Sequence, residues 1–172
     1  MRRRSVLAGT AMFLAGCGGS ASGGTPTASP IPTSEWRGPT EEDRAYVDLQ
    51  YRDWLPREVE SKKVDAVDVA YDELSRNTEE YVGATVYFRS GTILQTLEAE
   101  NRFVFFIGLN DSRQQPVYAS WTGDRFVRGD HVAIWGHVMG TESYAHQGQQ
   151  VTVPALSLVD VEIQTSGDAS GS

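Results

Sequence analysis

Hydrophobic side chains alternate between two faces along the second half of the chain, and a period of two residues predicts β-strands. The clearest strand runs from His131 to Met139, after a turn at Arg128-Gly129-Asp130. Its two faces carry Val132, Ile134 and Val138 on one side and Ala133, Trp135 and His137 on the other. Gly136 interrupts the strand and predicts a bulge or a sharp bend. A strongly bent strand of this kind favours a small closed barrel over a flat sheet.

Four further runs, each bounded by turn residues, are predicted strands. They are Thr85 to Leu97 with a bulge at Ser90-Gly91, Arg102 to Leu109, Pro116 to Trp121, and Val151 to Ile163 with a kink at Pro154. The second is apolar on both faces and is expected to be a buried central strand. Turns are predicted at Asn110-Asp111, Gly123-Asp124 and Gln147-Gly148. The five strands match an OB-type (oligonucleotide/oligosaccharide-binding) Greek-key barrel over residues 79–164.

One or two helices are expected before the barrel, within residues 39–78. Thr40 followed by Glu41-Glu42-Asp43 is typical of a helix start, and helical spacing of apolar residues predicts a helix over 41–54 that ends before Pro56. The stretch from Val64 to Leu74 fits a helix or a strand. We expect a short extended piece there, followed by a helical turn at Asp72 to Arg76. The predicted fold class is therefore mainly β, with a helical segment in front.

The first 17 residues have the organisation of a signal peptide. Three arginines precede the apolar and small-residue run Ser5 to Gly16, which is too short to span a bilayer. Arg3-Arg4-Ser5-Val6-Leu7 resembles the twin-arginine export motif, with Arg3 and Arg4 as the paired arginines. Export by the general pathway is the alternative.

Cys17, the only cysteine of the chain, ends this run. Leu14-Ala15-Gly16-Cys17 is similar to a lipoprotein signal box, which predicts cleavage before Cys17 and lipid attachment to its thiol. Two lipid chains would anchor the protein stably, since each buried methylene contributes ~0.8 kcal/mol. We expect a lipid-anchored protein on the outer side of the cell membrane, with an unmodified cysteine as the alternative.

Two further segments of the chain are predicted to be disordered. Residues 18–38 are rich in Gly, Ser, Thr and Pro and are expected to form a disordered tether, and residues 165–172 a disordered tail.

The net charge of the chain makes some classes of binding partner less favoured than others. The 172-residue chain has room for one domain and a net charge of −8, which becomes −11 without Arg2, Arg3 and Arg4. Only Lys62 and Lys63 are lysines, and this acidic, lysine-poor composition resembles proteins of extreme halophiles. Nucleic-acid binding needs clustered basic residues and is therefore not favoured.

Several motifs together resemble the OB-fold domains of exported lipoproteins. They are Gly83-Ala84-Thr85-Val86, the run from Gly129 to Gly136, and Val151-Thr152-Val153-Pro154-Ala155. The turn Tyr71 to Leu74 before the entry Tyr81 to Gly83 is similar to the turn that precedes the barrel in those domains. The resemblance covers residues 69–163 and implies the fold alone, with no activity or site residue. Thr122 to Gly129 departs from it, being too short for the helix that many OB barrels carry there.

Catalysis is not predicted. The three histidines, His131, His137 and His146, have no cysteine or nucleophile elbow with them. His131 and His137 lie about 20 Å apart along a strand, too far to share a metal ion, and each is expected at the barrel surface or partly buried. The turn acids Asp111, Asp124, Asp130 and Glu142 match no known calcium loop and are expected to be solvated. We therefore expect no enzyme, no metal and no cofactor.

Ligand binding is the preferred function. OB barrels bind with the face of their second and third strands and with two loops, here Glu98 to Asn101 and Gly140 to Gln149. The candidate ligand-binding residues are Tyr118, Trp121, Tyr144 and His146. The expected ligand is a carbohydrate, a peptide or a protein outside the cell; a subunit of a cell-envelope assembly is the alternative, and a nucleic-acid binder or hydrolase is less favoured. Ordinary core aromatics and a plain hairpin loop would leave the same pattern.

Asn110-Asp111-Ser112 fits a glycosylation acceptor at an exposed turn, with Asn110 as the modified residue.

Overall fold

A computed structural model describes residues 30–40, 54–110 and 112–164. The elements are β1 Ile31–Pro32, α1 Pro56–Val64, β2 Val67–Asp68, α2 Tyr71–Arg76, α3 Thr78–Tyr81, β3 Thr85–Ala99, β4 Arg102–Leu109, β5 Pro116–Trp121, β6 His131–His146 and β7 Gln149–Ile163. Strands make up 53% of the described residues, which confirms the predicted mainly β class.

Strands β3 to β7 close into a barrel. Strand β3 pairs antiparallel with both β4 and β6, β5 pairs with β4, and β6 pairs with β7. A parallel pairing of β5 with β7 completes the ring β3-β4-β5-β7-β6. The predicted closed five-stranded barrel is confirmed, and its strand order is compatible with an OB-type fold.

Two bends let β3 pair with neighbours on both sides. Its pairing with β6 shifts register between Phe88 and Gly91, at the predicted bulge, and its pairing with β4 shifts between Ile93 and Gln95. Strand β6 shifts register at Gly136, as the glycine predicted. Such bulges increase the local twist and bend a strand, and this bending allows a small sheet to close.

The barrel interior is apolar. The inner face of β6 is the predicted one, since Val132, Ile134 and Val138 are all fully buried. From β4, Phe105 and Ile107 enter the same core. The other face of β4 is less covered than expected for a central strand buried on both sides, because the Phe106 side chain there is only half-buried.

A second apolar cluster lies outside the barrel. Ala133 and Trp135, on the outer face of β6, pack with Trp54, with Val59 of α1 and with Tyr87. His137 on the same face is fully buried, and its ring meets Trp54 edge-on at 5.3 Å between centroids. The expected surface or partly buried position of His137 was therefore wrong, because the segment before the barrel covers this face.

Lys63 joins α1 to the barrel. Its Nζ atom donates to Asp160 at 2.6 Å and to Glu162 at 2.8 Å, and it lies 4.0 Å from the centre of the Trp135 ring. Burial alone would lower the pKa of the Lys63 ammonium, but the hydrogen bonds and the charges of Asp160 and Glu162 outweigh it and raise this pKa above 10.5. The ammonium is therefore held in its charged form by β7.

We expect Lys63→Met to lower the free energy of unfolding by about 1 kcal/mol at neutral pH, since a partly exposed ion pair contributes modestly. A raised folded-state pKa means that the stabilisation is complete below pH 10.5 and is lost as the pH rises through the folded pKa. Urea unfolding of both proteins from pH 7 upward should show the difference shrinking at alkaline pH. Lys63→Arg should keep the stabilisation there, because arginine stays charged. A difference between Lys63→Met and the unsubstituted protein that is constant over this range would contradict the assignment.

The region before the barrel differs from the prediction in two places. The helix expected over 41–54 lies outside the described residues, apart from Trp54, which is not helical. Helix α1 was not predicted, because Pro56 was taken as a stop and instead occupies the first turn, where a missing N–H costs nothing. Strand β2 and α2 confirm the extended piece and the helical turn that follows it.

The predicted tether ends earlier than residue 38. Ile31 and Pro32 form β1, which pairs with β2, and the Trp36 ring stacks on Tyr81 at 4.6 Å. Ile31 and Trp36 supply the apolar surface that the Gly/Ser-rich part of the tether lacks. The predicted signal peptide, with Arg3, Arg4 and Cys17, the tether up to residue 29 and the tail 165–172 lie outside the described residues.

Candidate ligand-binding groove

The predicted loop Gly140 to Gln149 is mostly a two-stranded arm. Strands β6 and β7 stay paired from Gly140 opposite Ala155 to His146 opposite Gln149. The chain reverses at Gln147 and Gly148, which both have positive φ angles, 52° and 79°, as tight hairpin turns require. The prediction of a loop was wrong because the polar composition of this stretch reflects exposed strand faces, whereas the predicted turn at Gln147-Gly148 is confirmed.

The arm brings its aromatic residues to the outer face of the barrel. The Tyr144 ring lies 4.8 Å from Phe106 and 6.3 Å from the ring of His146, and Phe106 lies 5.7 Å from Tyr118. All three contacts are edge-to-face, a favourable geometry for aromatic pairs. We call these four residues the aromatic row. Three of the four predicted candidates thus come together, through a phenylalanine that had not been singled out.

Phe106 could have been found from the strand pattern. It faces outward because Phe105 and Ile107, its neighbours in β4, face the core, and it lies directly opposite Tyr118 in the β4–β5 ladder. A large apolar side chain on the outward face of a strand is the signal that could have identified Phe106 as a candidate site residue.

Trp121 is separate from the aromatic row. Three residues after Tyr118, it lies on the opposite side of β5 and packs against Phe126 at 6.4 Å. Its indole N–H donates to the Asp124 carbonyl at 2.9 Å. Trp121 therefore closes one end of the core, and its expected place beside Tyr118 on the open face was wrong.

A cavity of about 1080 Å³ lies beside the aromatic row; we call it the groove. Phe106, Tyr144 and His146 line it directly, while Tyr118 supports Phe106 from outside the lining. Leu94 and Leu97 of β3 contribute further apolar surface. A concave apolar site with a few polar groups is the usual form of a small-ligand site.

A close backbone approach shapes the floor of the groove. A β-carbon at Gly108 would lie 2.7 Å from the Ser112 carbonyl oxygen and 3.2 Å from Cδ1 of Leu94. Leu94 is the residue that the β3–β4 pairing skips at its register shift, so the bulge directs this side chain over Gly108. Only glycine fits beneath it.

Helix α2 supports the same region. The Tyr71 hydroxyl donates to the carbonyl of Pro116, a residue of the groove lining, at 3.2 Å. Burial raises the pKa of the Tyr71 phenol above 10.0, and the nearby Tyr144 and Asp72 add to the shift against a lowering hydrogen bond with Ser75. The phenol therefore remains a neutral donor at physiological pH.

The charges around the groove differ from those of the chain as a whole. The chain carries 23 acidic residues, yet the described lining contains Arg113, Arg128, His131 and His146 and no carboxylate. His131 Nδ1 lies 3.2 Å from the Thr92 hydroxyl, which also lines the groove. The described surface of the groove is thus aromatic and basic.

Sequence comparison adds no relative: no family model matches this chain, and no curated protein matches it. The groove is therefore the feature of this protein that points to a function.

The described residues contain no group of three or more His, Cys, Asp or Glu placed to hold a metal ion. Of the predicted turn acids, Asp130 accepts a hydrogen bond from the Val127 N–H at 2.8 Å and so closes its own turn. Asp111 lies outside the described residues. Asn110 lies exposed in the β4–β5 turn with a φ of 51°, and its glycosylation stays a prediction.

Proposed function

We propose that this protein is a binding module on the outer side of the cell membrane, anchored through a lipid on Cys17, which holds a ligand in the groove without transforming it. The observation that carries the proposal is the aromatic row, which covers the outer face of β4 and β5 where a water-exposed sheet would ordinarily carry polar residues. OB-type barrels bind ligands with the equivalent face of their second and third strands.

An extended ligand of modest size suits this surface. Aromatic rings offer flat apolar contact to sugar rings or peptide side chains, and Gln95, Ser112 and Gln114 supply hydrogen-bonding groups in the same lining. A carbohydrate or a peptide is accordingly the ligand class that we propose.

The groove assignment predicts that Tyr144→Ala weakens ligand binding about tenfold, or 1.4 kcal/mol, because it removes the ring that joins the arm to Phe106. A panel of soluble oligosaccharides and short peptides would be titrated into ¹⁵N-labelled protein. Amide shifts should concentrate on the groove, and calorimetry of the strongest hit should give the affinity.

Two variants control this experiment. Tyr144→Phe keeps the ring and should bind nearly as well, and Ile163→Ala removes an exposed apolar side chain outside the groove lining and should change nothing. Shifts that map to another surface, or a panel in which no probe perturbs the groove, would refute the proposed site.

Anchoring has its own test. No helix among residues 30–40, 54–110 and 112–164 is long and apolar enough to cross a bilayer. Cys17→Ser removes the thiol that would carry the lipid and is expected to move the protein from the membrane fraction to the soluble one, whereas Ser20→Ala should leave it on membranes. Unchanged fractionation of Cys17→Ser would refute lipid anchoring at this residue.

A second candidate function is a subunit of a cell-envelope assembly. The observation that favours it is the exposure of two large apolar side chains, Leu97 at 44% and Val127 at 46%, since exposed apolar residues can mark a protein interface. Native purification in high salt separates the two: a binding module migrates alone on size exclusion, and a subunit elutes with its partner.

A further inference from the structure

We propose that the groove selects an acidic oligosaccharide, a short chain of sugars bearing carboxylates, over a neutral one of the same size. This inference rests on the proposed function and specifies its substrate class.

The groove lacks the acidic character of the chain around it. In a protein of net charge −8, the described lining presents two arginines and two histidines and no aspartate or glutamate. Carboxylates elsewhere on the surface repel an anionic ligand, whereas the arginines of the described groove lining offer it positive charge.

The two groove arginines are available to a ligand. Arg125, in the same β5–β6 connection as Arg128, is paired with Glu98 at 2.8 Å. Within the described part of the chain, neither Arg113 nor Arg128 forms a salt bridge with a carboxylate. A guanidinium group fits a carboxylate through two parallel hydrogen bonds, which makes arginine suited to bind one.

Aromatic and basic groups share this cavity and address different parts of one molecule. Arg113 comes from the β4–β5 turn and Arg128 from the connection before β6, and both line the cavity that Phe106 and Tyr144 line. The rings offer contact to the apolar face of a sugar, and the guanidinium groups bind its acid. A uronic acid unit carries both features.

A long polyanion fits less well than a short acid. Binding to a nucleic-acid backbone gains from many phosphate contacts made along an extended basic surface. The described groove lining has two arginines, and the protein around it is acidic. A ligand with one or a few carboxylates can pair with these arginines, whereas the additional negative charges of a long polyanion would be repelled by the surrounding carboxylates.

The test uses the full chain and two matched probes, a tetramer of galacturonic acid and its methyl ester, which has the same sugars without the charge. Calorimetry and ¹⁵N shift mapping in 0.15 M NaCl should show the acid bound in the groove at least tenfold more tightly than the ester. Arg113→Gln and Arg128→Gln should each reduce this preference several-fold. Arg125→Gln, in which the lost arginine is the one paired with Glu98, is the matched control and should preserve the preference.

The outcomes separate the inference from the proposed function. Equal affinity for acid and ester overturns the inference and leaves the groove as a binding site. A preference for the acid that survives both groove variants, verified as folded by their unfolding midpoints, also overturns it. A thymidine decamer bound more tightly than the tetramer would favour nucleic acid instead. If neither tetramer binds, the inference is also overturned. The panel of oligosaccharides and short peptides then tests the proposed function independently.

Discussion

Replacing Phe105 with alanine is expected to lower the free energy of unfolding by about 3–5 kcal/mol, the usual cost of removing a fully buried phenylalanine. Phe105 has no exposed surface and, among the residues that the structure describes, is the largest of the fully buried side chains. Its ring stacks with Phe103 at 6.2 Å and meets Phe126 edge-on at 5.9 Å. The cavity left behind would lie at the centre of the barrel, where closed strands cannot collapse around it.

Phe106→Ala is the matched control for this prediction, since it removes the same side chain from the next residue of the same strand. Phe106 faces the groove and is only half-buried, so its loss should cost clearly less stability and should instead weaken ligand binding. Urea unfolding measures the first effect and calorimetry the second. Equal destabilisation by the two variants would contradict the assignment of inner and outer faces in β4.

Gly136→Ala is expected to destabilise the protein by about 1–3 kcal/mol through overpacking. A β-carbon at this position would lie 2.8 Å from Cδ1 and 3.0 Å from Cβ of Leu156. The Cδ1 atom can move with its side chain, but Cβ is fixed to the backbone of β7. The strands would therefore have to separate where β6 shifts register.

A double-mutant cycle with Leu156→Ala tests this mechanism. The second substitution removes the contact with Cδ1 and leaves the one with Cβ, so the double variant should be less destabilised than the sum of the two single variants, by about 1 kcal/mol. Strict additivity in urea unfolding would show that Gly136 is required for another reason.

The strand pattern predicted the barrel because the alternation of side chains and the positions of glycines can be read from neighbouring residues in the sequence. Alternation of side chains along β6 assigned Val132, Ile134 and Val138 to the inside, and the structure confirms each. Gly136 and Ser90-Gly91 marked two bends that the register shifts confirm, since the missing side chain of a glycine permits them. The helix α1 was missed for an equally local reason: a proline permits a helix start as readily as it prevents a continuation.

The sequence pattern predicted only part of the candidate site. Tyr118, Tyr144 and His146 were singled out because they are aromatic and lie on an expected binding face or loop. Trp121 was included although its odd spacing from Tyr118 places it on the other face. The arm was taken for a loop, because an exposed hairpin and a polar loop share their composition.

The sequence by itself determined the number of barrel strands, the side chains of β6 that face the core and two of the positions where strands bend, because each follows from a period of two residues or from glycine placement. Only the tertiary structure decided that Tyr144 meets Phe106, that Arg113 and Arg128 line one cavity, and that Trp54, just before α1, packs against the buried His137. Each of these pairs joins residues that are separated in the chain, so only the folded barrel brings them together and no local pattern predicts them.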